Sequence, residues 1–136
     1  MPHHPHPPLA GGLAEQRALR LLSGRGWCLR ARNWRCRGGE LDLVLSKPGR
    51  LLLVEVKGRR RRGPDGWGLL AVDAGKRHRL SRAWQCWLAE HPDLQPWPVE
   101  WVCAVVPLPP VAGPVRWIRV EGASAGARGG GSRAIR

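Results

Sequence analysis

The chain has 136 residues, room for one ordinary domain and cramped for two. Its 23 Lys+Arg against 10 Asp+Glu leave a net charge of +13, which excludes an acidic solvating chain and makes a polyanion the first partner to consider. No apolar run reaches the roughly 18 residues of a membrane-spanning helix, and the opening stretch MPHHPHPPLAGG has no hydrophobic segment of signal length, so a cytoplasmic protein with no membrane partner is expected.

Residues 1–8, rich in His and Pro, are expected to be disordered, as is the Gly/Ala/Arg tail at 121–136; a single domain is expected over 9–120. A helix is predicted from about Leu9 to Ser23, with Ala14, Ala18, Leu21 and Leu22 on one face and Gly24 and Gly26 closing it. Alternation at Trp27, Leu29 and Ala31 suggests a first strand. After the Gly38–Gly39 break, Glu40–Leu45 and Leu51–Lys57 read as the arms of a hairpin around Ser46-Lys47-Pro48-Gly49-Arg50. A basic loop, Gly58–Gly68, leads to the clearest helix, about Ala74–Glu90, where Leu80, Ala83, Trp84, Trp87 and Leu88 keep helical spacing. Val99–Val106 and Val115–Val120 suggest two further strands. The order α-β-β-β-α-β, plus one more β, predicts an α/β fold with a mixed sheet flanked by helices.

The hairpin carries the chemistry. A turn centred on Pro48–Gly49 sets Asp42 opposite Glu55 and Glu40 opposite Lys57, all four on one face. The other face then pairs Leu41 with Val56, Leu43 with Val54 and Leu45 with Leu52, an apolar surface for a helix. Opposed carboxylates repel, so an Arg, a shared proton or a divalent cation must offset them. Hard cations such as Mg²⁺ are held by one or two carboxylates together with substrate phosphate. Lys57, on the same face, suits the placing of a phosphate or a water, and acids beside an ammonium group are what phosphodiester hydrolysis needs. The competing reading is a solvated, salt-bridged sheet face.

Arg30, Arg32, Arg35 and Arg37 precede the acidic cluster, and Arg59, Arg60, Arg61 and Arg62 follow it, a positive surround suited to a phosphate backbone. Arg outnumbers Lys twenty to three, however, and eight Trp stand with no Phe, Tyr or Thr. Codon bias toward GC-rich triplets accounts for such a skew without any selection for nucleic acid.

The run Gly39-Glu40-Leu41-Asp42-Leu43-Val44, followed by Val54-Glu55-Val56-Lys57-Gly58-Arg59, closely resembles the YraN-type family of uncharacterised bacterial proteins. That family is similar to the restriction-endonuclease-like PD-(D/E)xK superfamily, which includes archaeal Holliday-junction resolvases. Ala14-Glu15, Arg32-Asn33-Trp34-Arg35, and Ala71-Val72-Asp73 with Lys76 and Leu80 extend the match over about Gly12–Val106. The resemblance implies an αβββαβ core. It implies Asp42 and Glu55 as metal-binding acids, Lys57 as catalytic lysine, Glu15 as an extra helix acid, Glu40 as the motif acid and Lys76 as the basic residue opening the second helix. Two departures stand out: Glu100-Trp101-Val102 replaces the family's Arg-aromatic-Asp run in the fourth strand, and, more mildly, Gly58 replaces a more usual Thr.

Other residues invite plainer readings. Trp84 and Trp87 have core spacing; His78 and His91 are expected on the surface of the second helix; Cys86 and Cys103 are expected to be packed thiols. Cys28, Cys36, Cys86 and Cys103 lack zinc-site spacing, and reduced thiols are the default. His3, His4 and His6 offer at most adventitious metal capture. Lys76, Arg77, Arg79 and Arg82 cluster on the second helix, Lys76 and Arg79 on one face, where solvent and phosphate are equally suitable neighbours. No P-loop, dinucleotide fingerprint or serine-hydrolase elbow is present.

The expected protein is a Mg²⁺- or Mn²⁺-dependent nuclease-like enzyme on branched or damaged DNA, with RNA second. Asp42, Glu55 and Glu15 would serve the metal, Glu40 and Lys57 the chemistry, and Arg35, Arg37, Arg59, Arg60, Arg61, Arg62 and Lys76 the nucleic acid. A homodimer is expected by analogy with nucleases that cut both strands. The alternative is a nucleic-acid-binding module that keeps the fold without the catalysis.

Overall fold

The computed structural model describes residues 10–61 and 74–120. The expected disordered ends, Arg62, and Ala71-Val72-Asp73 lie outside the described residues.

The described chain runs α1 (Ala10–Ser23), β1 (Cys28–Cys36), β2 (Gly39–Lys47), β3 (Arg50–Arg59), α2 (Ala74–Ala89), β4 (Val99–Pro107) and β5 (Arg116–Arg119), with a 3-10 turn at Pro92–Leu94. The strands form one five-stranded sheet in the order β1-β2-β3-β4-β5. β3 and β4 are parallel and the other neighbours antiparallel, so the sheet is mixed and the chain between β3 and β4 makes a crossover that contains α2. This is the predicted α/β architecture, an αβββαβ core with one strand added.

Each face of the sheet is covered by one helix. Ala14, Ala18 and Leu22 of α1 pack on Leu43, Leu45, Leu52, Val54, Val102 and Ala104. Leu80, Ala83, Trp84 and Trp87 of α2 pack on Leu41, Val44, Leu51, Leu53 and Trp101. β3 supplies alternate residues to both cores, as a central strand must, while the helix residues arrive at the spacing the sequence predicts. Leu21, expected on the packed face of α1, is instead 41% exposed. Ala14, Ala18 and Leu22 already fill the narrow stripe that meets the sheet.

The hairpin register is the predicted one from Lys47–Arg50 to Leu43–Val54, closed by Pro48 and by Gly49 at φ 75°. Beyond Leu43–Val54 the expected ladder does not continue. The β1–β2 ladder shifts register between Leu29 and Ala31; farther along, Asn33, at φ 49°, and Asp42 are unpaired between Arg32–Leu43 and Trp34–Leu41, which share one register. Leu41 consequently joins the α2 core while Leu43 remains in the α1 core, so the expected pairing of Leu41 with Val56 on one face is corrected. β3 also runs on to Arg59, which makes Gly58 a strand residue and not the start of a loop.

Candidate functional site

The break in the ladder builds the site. With no backbone partner in β2, the Val56 N–H donates to Asp42 Oδ2 at 2.8 Å. The side chain of Asp42 thereby sits in the gap between diverging strands, hydrogen-bonded to the carboxyl of Glu55. Direct opposition across a ladder was expected; a splayed ladder brings the two acids together instead. Glu55 and Lys57 alternate with Val54 and Val56 and face α2. Both lie toward the C-terminal end of β3, beside parallel β4, where ligands of open α/β sheets characteristically bind.

Glu55 is 8% exposed and is held by two cations, with its Oε1 2.7 Å from Lys76 Nζ and 3.6 Å from Lys57 Nζ. Burial, then the Glu55 carboxylate, push the Asp42 carboxyl up to about 8, against the lowering effect of the Val56 N–H. Asp42 therefore holds its proton at neutral pH, beside the Glu55 carboxyl. Burial and the neighbouring Lys76 ammonium lower the Lys57 ammonium from its ordinary value. Lys76 is raised, because its contacts with Glu55 and Lys57 outweigh the opposing effect of burial. Two acids and two amines thus form one cluster of ionisable groups.

A cleft of about 630 Å³ opens over this cluster. Asp42, Glu55 and Lys76 contribute to its lining, with Arg35, Arg37 and Glu40 from the β1–β2 side and Arg79 from α2. Arg79 thus faces the cleft, a position that helical spacing alone left open. Close approach of α2 to β2 depends on Gly39: at φ 155°, a Cβ there would stand 2.9 Å from the Arg79 carbonyl oxygen.

The remaining predicted residues are spread around this centre. Glu40 pairs with Arg35 at 3.4 Å, both exposed. Glu15, on the α1 side, lies 3.6 Å from Arg32; burial raises its carboxyl, against hydrogen bonds from Asn33 and the charge of Arg32. Its Oε2 is buried with no hydrogen-bond partner. Arg59, Arg60 and Arg61 continue past the cluster on the end of β3 and do not line the cleft; Arg60 donates to the Pro109 carbonyl at 3.0 Å. Among the described residues, no group of three His, Cys, Asp or Glu side chains forms a metal cage. Asp42 and Glu55 are a two-carboxylate set, suited to a hard cation that draws its other ligands from backbone, water and phosphate, and unsuited to a closed zinc centre.

The fourth-strand departure proves remote from the cluster. Val102 pairs with Val54 and is buried in the α1 core, on the face opposite Glu55. Glu100 binds Arg50 at 3.1 Å and Arg119 at 3.4 Å. Next to Glu55 on β4 is Cys103, a packed thiol as expected, pushed up to about 11 by burial and the Glu55 charge. Cys86 was expected to be packed as well, but it lies exposed on α2. Trp84 and Trp87 are core residues; His78 is exposed on α2, while His91 lies just past the helix, stacked on Trp87 at 3.9 Å.

The sequence profile of the uncharacterised protein family UPF0102 matches residues 14–106, which include every element of this site. The UPF0102 protein of Prochlorococcus marinus strain MIT 9303 is 55% identical over 111 residues, 82% of this chain and 88% of the relative. That of Parasynechococcus marenigrum strain WH8102 is 52% identical over 111 residues, covering 82% and 81%. A more distant relative from Pseudomonas putida strain GB-1 is 44% identical over 86 residues, covering 63% and 69%. A profile match spanning both cores and the cleft, with relatives of this identity and coverage, makes the chain a member of the UPF0102 family, the YraN family.

Proposed function

We propose that the protein is a metal-dependent phosphodiester hydrolase acting on nucleic acid, DNA before RNA. The observation that carries this reading is the buried Asp42–Glu55 carboxyl pair, with Lys76 on Glu55, at the floor of an arginine-walled cleft; Lys57, outside the lining, stands 3.6 Å from Glu55. A buried, proton-holding Asp42 against a second carboxyl is costly as a purely structural device in a basic protein; exchange of the Asp42 proton for a divalent cation relieves the same repulsion. Asp42 and Glu55 would hold Mg²⁺ or Mn²⁺. The bound ion would neutralise charge on the phosphate oxygens and acidify a water molecule.

The chain's own groups do the rest. Asp42 releases its proton to become a ligand, and Val56 N–H keeps its carboxylate aimed into the gap. Lys57, with its ammonium lowered by burial and by Lys76, orients the attacking water or contacts the scissile phosphate. Arg35, Arg37, Arg79 and Lys76 attract the backbone to the cleft, while Arg59, Arg60 and Arg61 extend the positive surface along the end of β3. Glu40, tied to Arg35, orients that arginine. Glu15, ion-paired with Arg32 at 3.6 Å, supports the acids from the α1 side.

A second reading, a nucleic-acid-binding module without hydrolysis, is favoured by the short 2.7 Å contact through which Lys76 already occupies Glu55. Branched and linear DNA, and RNA, incubated with the protein in Mg²⁺, Mn²⁺ or EDTA beside a Lys57→Ala variant, separate the two. Cleavage that requires both the metal and Lys57 is the expected result. Salt-sensitive binding without cleavage under either metal supports the second reading, and absence of binding contradicts both.

A further inference from the structure

Lys76 belongs to the wall of the cleft and to its floor at once. It stands in the first turn of α2 and lines the cleft together with Arg79, one turn on. Its Nζ nevertheless reaches the floor, 2.7 Å from Glu55 Oε1, while Lys57 Nζ stands back at 3.6 Å. The contact is poorly hydrated: the side chain of Glu55 is 10% exposed and that of Lys76 21%. An oxygen held in this way is a poor metal ligand, because a hard cation bound to it would set its charge beside the ammonium with little water to screen the two. The partners also differ in freedom. Asp42 is fixed by the Val56 N–H at 2.8 Å, whereas a lysine has a flexible four-carbon stem and three donors that suit phosphate as well as carboxylate.

We propose that Lys76 is a positioning residue that makes metal loading depend on nucleic acid. With the cleft empty, its ammonium takes the metal's place on Glu55; a backbone phosphate entering the cleft draws it away and frees the oxygen for the ion. This rests on the reading of the site as a metal-dependent phosphodiester hydrolase. The exchange leaves no buried charge unmatched, since the ammonium passes from carboxylate to phosphate as the divalent ion arrives at the acids. Arg79 lines the same cleft and attracts phosphate without holding Glu55. Linkage makes the effect reciprocal: nucleic acid tightens Mn²⁺ binding by the factor by which Mn²⁺ tightens nucleic-acid binding. An ion that touches both acid and phosphate couples the two in any case, so the share due to Lys76 is the part lost with its ammonium.

The test measures Mn²⁺ affinity of the full chain by calorimetry with and without a DNA duplex, in a Lys57→Ala background that keeps the duplex intact. The duplex should raise the affinity about fivefold or more. Adding Lys76→Met should cut that factor several-fold, because the ion then binds tightly before DNA arrives. Adding Arg79→Ala should leave the factor unchanged while DNA binding weakens. A factor that is the same with and without Lys76, or a duplex that does not change Mn²⁺ affinity, overturns the proposal. A second measurement needs no variant. The chain has three lysines, Lys47, Lys57 and Lys76, so ¹⁵N-lysine labelling resolves each Nζ. In EDTA the duplex alone should shift the Lys76 signal; an unmoved signal in a protein that binds the duplex overturns the exchange. Failure to bind Mn²⁺ or the duplex under any condition contradicts the hydrolase reading and this proposal with it, whereas loss of the coupling alone leaves that reading standing.

Discussion

The carboxylate of Asp42 occupies the place of a strand carbonyl, accepting the Val56 N–H at 2.8 Å where the β2–β3 ladder ends. One side chain thus terminates the pairing, satisfies the orphaned donor and holds an acid beside Glu55. Asp42→Ala removes all three effects, whereas Asp42→Asn keeps an acceptor and removes only the charge.

That difference gives a pH dependence. The Asp42 carboxyl stands at about 8 in the folded protein, above its ordinary value of 3.8. The folded state therefore binds the extra proton across this window. The stabilisation is complete below about pH 4 and is lost as pH rises toward 8. In EDTA, urea unfolding of Asp42→Asn should match the parent near pH 4 and exceed it by ~2 kcal/mol or more at pH 9. A parent that gains stability relative to this variant with rising pH would contradict the account.

Gly39→Ala tests the approach of α2 to the cleft. The Arg79 carbonyl oxygen 2.9 Å from the added Cβ is backbone, so it cannot move aside alone, and φ 155° disfavours a side chain as well. A loss of about 1–3 kcal/mol in urea unfolding is expected. An unchanged midpoint would show that helix and strand are not in contact there.

Much of this geometry was legible in the residues, and the exceptions are instructive. Apolar spacing at Leu80, Ala83, Trp84 and Trp87 located α2 and its buried face, and the Pro48–Gly49 turn set the hairpin register as far as Leu43–Val54. Strand periodicity then carried Leu41 to the wrong face, because no pattern of apolar residues reports a break at Asn33 and Asp42. The acids were identified correctly as neighbours, though by opposition and not by splaying. Leu21 satisfied helical spacing yet remained outside a stripe already filled by Ala14, Ala18 and Leu22.

Lys76→Met should separate two roles of one cation. Its 2.7 Å contact with Glu55 Oε1 competes with any divalent ion for that oxygen, while its charge attracts phosphate. The variant should bind Mn²⁺ several-fold tighter and DNA several-fold weaker, read by calorimetry and fluorescence anisotropy respectively. Loss of both affinities would assign Lys76 to the support of Glu55 alone.

Arg79→Ala removes a cation from the cleft wall without touching the acids. DNA binding should weaken to a similar degree across sequences, and the slope of log affinity against log salt should fall by about 1. An unchanged slope would place the phosphate backbone elsewhere.

Titration calorimetry of Mn²⁺ binding at pH 7, in two buffers of different ionisation heat, tests the central claim most directly. If Asp42 exchanges its proton for the ion, binding releases about one proton and the apparent enthalpy differs between buffers accordingly. Asp42→Asn should bind weakly and release none. Buffer-independent heats in the parent, or an identical isotherm in Asp42→Asn, would show that the Asp42–Glu55 pair does not hold the metal.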